Sequence, residues 1–130
     1  MDNNECEIAS RVFEWGGKPI AVSLFAPVKV SETEWHCTFK IDGLPVGRMA
    51  ISVGIDSFQA LMNAIEAIRQ EVSKPELGLT WQFGFDNDLG LHRSIPNALG
   101  TGFYQRMCDI LDKEIEIEVA RSKSLRLSKI

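Results

Sequence analysis

The sequence predicts an α+β fold: an antiparallel sheet of about five strands, arranged as a meander, packed against two amphipathic helices in the order β-β-β-β-α-β-α. Three observations lead there. Apolar residues alternate with polar ones through most of the first 55 positions, which is the period of a strand. At Asp56 the apolar spacing lengthens to that of a helix, and it does so again after Thr101.

Each element follows from its residues. Gly16-Gly17 marks a tight hairpin turn, with Glu7–Trp15 as its first arm and Lys18–Val28 as its second. In the second arm Ile20, Val22 and Leu24 share one face, while Ala21, Ser23 and Phe25 share the other. From Glu34 to Asp42 the alternation is cleaner. Trp35, Cys37, Phe39 and Ile41 oppose His36, Thr38, Lys40 and Asp42, as expected of a strand with one wet face. Asp42-Gly43-Leu44-Pro45 supplies a turn. Met49, Ile51, Val53 and Ile55 then alternate with Arg48, Ala50, Ser52 and Gly54.

Asp56 suits a helix N-cap, because its carboxylate accepts a backbone N–H that has no intrahelical partner, and Gln59 can complete a capping box. Phe58, Leu61, Met62, Ile65, Ile68 and Val72 form the apolar stripe of that helix, flanked by Ala60, Ala64 and Ala67, and Pro75 ends it. Leu79, Trp81, Phe83 and Phe85 alternate with polar or small residues and predict a fifth strand. Residues 86–100 read as a long loop, the kind that often carries function. From Thr101 to about Ser124 a second helix carries two stripes: Tyr104, Cys108, Leu111, Ile115 and Val119, and Phe103, Ile110 and Ile117. Within it Ile115, Ile117 and Val119 also alternate with Glu114, Glu116 and Glu118, a strand pattern that competes with the helical one.

Composition narrows the class. The 130 residues are 45% hydrophobic and 25% charged, which fits one globular domain, 1–130, ending in a basic tail at 121–130. The formal charge is −4, and the last ten residues hold four bases and no acid, so residues 1–120 carry −8. An acidic body disfavours nucleic acid as a partner and favours a basic protein. No apolar run is long enough to span a bilayer. The acidic start Met1-Asp2-Asn3-Asn4-Glu5 is unlike a secretory signal, so the expected compartment is the cytoplasm. Three widely spaced cysteines, Cys6, Cys37 and Cys108, suit reduced thiols filling a core better than a disulfide framework.

The chemical motifs are sparse. Asp86-Asn87-Asp88 resembles the opening of a calcium loop, but glycine falls at loop position five and position twelve is Asn97, so an Asx-rich turn is the better reading. His36 and Cys37 are adjacent on a strand and point to opposite faces, and His92 is far away, so no metal site is expected. Nothing local supports a Cys–His catalytic pair of His92 with Cys37 or Cys108, and no nucleophile elbow, phosphate loop or dinucleotide fingerprint is present. No cofactor is implied. The polar cluster Asp86, Asp88, His92 and Arg93 is a candidate loop surface.

The stretch Gly54-Ile55-Asp56-Ser57-Phe58-Gln59-Ala60-Leu61, with Trp35 and Cys37 upstream, resembles a family of uncharacterised bacterial domains marked by G-x-D-x-x-Q-A-L at a strand-to-helix junction, over roughly residues 15 to 93. That resemblance implies a fold and no activity. In size and acidity the chain is also similar to immunity proteins that neutralise toxins.

Three functions are therefore weighed. One is a non-enzymatic protein-binding domain of the immunity type. It would hold a basic partner by Phe103, Ile110 and Ile117 and attract it by Glu114, Glu116 and Glu118. Another is a homodimeric structural module. The third is an enzyme or small-ligand site beside the 86–100 loop, with Asp88, His92 and Arg93 as its polar groups.

Overall fold

A computed structural model describes residues 6–45, 47–84, 88–96 and 98–128. The chain divides into two compact units, Met1–Arg93 and Ser94–Ile130. The first holds five antiparallel strands and a helix: β1 (Glu7–Trp15), β2 (Lys18–Phe25), β3 (Val28–Ser31), β4 (Glu34–Asp42), β5 (Arg48–Gly54) and α1 (Ser57–Val72). The second holds α2 (Thr101–Ser128).

The β1–β2 hairpin turns at Gly16-Gly17, both at positive φ, the backbone that a two-residue turn requires. The strand expected over Lys18–Val28 breaks at Ala26-Pro27. Proline has no N–H for the ladder, and the Ala26 amide makes the last bond toward β1, donating to the Cys6 carbonyl at 2.7 Å. Pairing resumes in β3. β2 lies against the later half of β4 and β3 against its start, both on one side, while β5 pairs along the other side from Trp35↔Gly54 to Ile41↔Arg48. The result is a meander with β4 at its centre.

One face of this sheet is the core. Phe13, Ile20, Val22, Leu24, Cys37, Phe39 and Ile41 are buried beneath Ala60, Ala64, Ile68 and Val72 of α1. Burial of a large apolar side chain contributes about 1.5–3 kcal/mol, against at most about 1 kcal/mol for an exposed ion pair, so packing decides the fold. The α1 N-terminus forms as its residues dictate. Asp56 Oδ1 accepts the Gln59 amide at 2.7 Å, and Gln59 Oε1 accepts the Ile55 amide at 2.8 Å. Leu61, Ile65, Ile68 and Val72 of the expected stripe pack on the core, but Phe58 and Met62, in its first two turns, are 75% and 56% exposed. There Ala60 and Ala64 face the sheet instead. A Cβ on Gly54 would overlap the Ala60 backbone, so the helix leaves β5 too closely for large residues to fit beneath its first turn.

Two further expectations are corrected. No strand forms over 79–84, where the chain makes only a single bridge, Thr80 to Glu14 of β1, and Phe85 lies outside the described residues. β5 therefore precedes α1, and the order is β-β-β-β-β-α-α. Of the cysteines, Cys37 alone is core, its Sγ donating to the Phe25 carbonyl, while Cys6 is exposed and Cys108 half-buried.

Arg48 of β5 and Lys74 clamp Glu71 of α1 at 2.5 and 2.9 Å. The Lys74 hydrogen bond holds the Glu71 carboxyl below the usual carboxylate range. Partial burial opposes that, and the Arg48 charge reinforces it. A depressed folded-state pKa contributes stability that is complete above the unfolded value and lost as pH falls through the folded one. Glu71→Gln should therefore flatten the fall in stability below about pH 4.3, as read from urea midpoints across that range. An acid limb that matches the parent's would dismiss the clamp.

Among the described residues no helix is long and apolar enough to cross a membrane.

Candidate functional site

The best organised polar feature of the first unit is Arg11. It lies on the core side of β1, opposite Val22, and its Nη1 donates to the carbonyls of Leu89 and Gly90 at 3.0 and 2.7 Å. The guanidinium sits 4.1 Å from the Trp81 ring centroid, a cation–π contact, and Trp81 meets Phe83 edge-to-face. Arg11 thus latches the segment after α1 onto the sheet. Trp81, one of the aromatics that suggested a strand, serves this latch instead, and Phe83 against it is largely exposed.

Beside the latch lies a cavity of about 190 Å3 between sheet and helix. Val22, Leu24, Ile65, Ile68 and Leu91 line it, with Arg11 at its edge. No local sequence signal announces this site, because its parts come from β1, β2, α1 and a loop some 80 positions away.

The expected loop surface is assembled only in part. Asp86 lies outside the described residues. Asp88 accepts the Gly90 amide at 2.8 Å and, with Arg93, borders a second cavity of about 430 Å3 at the end of α1. His92 is exposed and does not line it. Two other cations at this cavity are already paired: Arg69 forks onto Glu66, and Lys74 holds Glu71. The Glu66 hydrogen bond raises the Arg69 pKa further. Among the described residues no group of three His, Cys, Asp or Glu is placed to hold a metal ion.

On the second unit the segment whose helical pattern competed with a strand pattern is helical, as expected, and the basic stretch from Arg121 continues α2 to Ser128. In the interior of a helix every backbone group is satisfied locally, whereas a strand there would need an edge to pair with. Ile110 and Ile117 are about half exposed, and Phe103 is half-buried. Glu114, Glu116 and Glu118 are all exposed, and Glu118 pairs with Arg121 at 2.6 Å.

The fold defines an α+β layer domain, a meander with a helix over one face. The chain belongs to the family described as Domain of unknown function (DUF6968), whose model matches residues 9–92, more than half of its length. The match ends one residue before the boundary of the first unit, so α2 lies outside it. No curated protein and no solved structure matches the chain.

Proposed function

We propose that the protein is a non-enzymatic binding domain that engages a basic protein partner through α2, in the manner of an immunity protein covering a toxin. The observation that carries this reading is the composition of one exposed stretch. Residues 109–118 hold five acids and a single base, interleaved with Ile110, Leu111, Ile115 and Ile117, each about half exposed. A helix draws little stability from propensity and gains most by docking an apolar stripe into a groove. The surrounding acids would speed encounter with a basic surface, and the apolar side chains would hold the complex once formed.

The test starts from capture of the tagged protein's partner from native lysate. Replacing Glu114, Glu116 and Glu118 together by lysine should then slow association with that partner by about tenfold or more at low salt. The difference should shrink as salt rises. Equal association rates at low salt would sink the electrostatic reading.

A homodimer is favoured by a different observation. β5 has one paired side, and Met49, Ile51 and Val53 form a half-exposed apolar row on its face away from α1. A two-fold contact would bury that row. Sedimentation showing a strict monomer at micromolar concentration removes this reading and leaves the first.

A further inference from the structure

The Arg11 cavity combines an apolar wall with a cation at its edge. Its walls are almost wholly hydrocarbon, supplied by Val22, Leu24, Ile65, Ile68 and Leu91. At its edge stands a half-buried guanidinium that no carboxylate pairs with among the described residues. Among the described residues Arg11 donates to two backbone carbonyls, both through Nη1. A guanidinium has five N–H donors in a planar fork that matches a carboxylate, so the group retains donors and an uncompensated charge. Size sets the other half of the specificity. A dry apolar cavity of about 150 Å3 accepts a benzene ring, and this one is about 190 Å3.

We propose that this cavity binds a small amphipathic carboxylate. A single ring or short alkyl chain seats among Val22, Ile65, Ile68 and Leu91, and its carboxylate pairs with Arg11. The apolar part recovers the contacts that an empty cavity forfeits, and the carboxylate neutralises a cation otherwise held by neutral carbonyls and the Trp81 ring. The segment that Arg11 latches carries Leu91, so binding and order of that segment are linked. This site is separate from α2, and its test is independent of the partner reading above.

Hexanoate and hexanol, which share a chain and differ in charge, are the probes, titrated into the full-length protein with labelled methyl groups. Hexanoate should shift the methyl resonances of Val22, Ile65, Ile68 and Leu91 saturably, with a Kd of about 1 mM or tighter. Hexanol should bind about tenfold or more weakly, the contribution expected of a charge-assisted hydrogen bond. Arg11→Met, which keeps the stem and removes the charge, should bring hexanoate down to the affinity of hexanol. Ile65→Phe, which fills the cavity, should abolish both. Absence of saturable shifts in the parent protein overturns the proposal. Equal affinity for hexanoate and hexanol in the parent overturns it too, and that comparison needs no variant to fold.

Discussion

Gly54→Val is expected to destabilise the first unit by about 3 kcal/mol or more, which for a unit of this size lowers Tm by roughly 12–24 °C. Gly54 ends β5, and the chain passes directly into α1. A Cβ there would overlap the Ala60 amide nitrogen and lie 2.8 Å from Ala60 Cα, so backbone and not a pliable side chain stands in its way. Relief requires the first turn of α1 to lift from the sheet, which would strip cover from Ala60 and Ala64, both fully buried. Loss of the Asp56 cap, by contrast, costs only about 1 kcal/mol. Thermal unfolding followed by circular dichroism checks the difference. A valine variant that melts with its parent would mean that helix and strand do not approach at this point.

The same junction shows what a single sequence makes legible. Local physics marked it: alternation up to Gly54, a capping aspartate, then helical spacing, all decided within a few residues of one another. The β1–β2 turn and β4 were equally local. Failures came where the deciding partner was distant. Trp81 and Phe83 alternate as strand residues do, yet a strand also needs a neighbouring edge. β1 offers the segment a single bridge, while Arg11, some 70 positions earlier, takes the Trp81 ring. Two members of the α1 stripe were misjudged for a related reason. Leu61, Ile65, Ile68 and Val72 pack on the core as expected, but beside Gly54 the first turn lies so close to the sheet that Ala60 and not Phe58 or Met62 fits beneath it. Of the candidate site, the loop cluster was half assembled, and the Arg11 cavity was invisible. Its residues are unremarkable one by one, since an arginine in a strand reads as a solvated edge.

Phe39→Ala should cost about 3–5 kcal/mol, whereas Ile51→Thr on the neighbouring strand should cost no more than about 1 kcal/mol in dilute solution. Both residues belong to the β4–β5 ladder, Phe39 opposite Ala50 and Ile51 opposite Thr38, so the comparison isolates the face of the sheet from the pairing. Phe39 is 1% exposed beneath α1, and its loss leaves a void that the packed helix cannot collapse into. Ile51, 57% exposed, points the other way, and threonine keeps its β-branched shape. Because side chains alternate with a period of two, a one-residue slip of β5 would turn Ile51 into the core and make its replacement costly as well. Urea unfolding of both variants therefore tests the register as well as the core. The concentration dependence adds a second reading. If Ile51→Thr is nearly neutral when dilute but costly when the protein is concentrated, the Met49–Ile51–Val53 row is buried by self-association, since mass action stabilises only the assembled form. If its cost stays small at every concentration, the outer face of the sheet is a solvated surface, and the two-fold contact through the Met49–Ile51–Val53 row is removed.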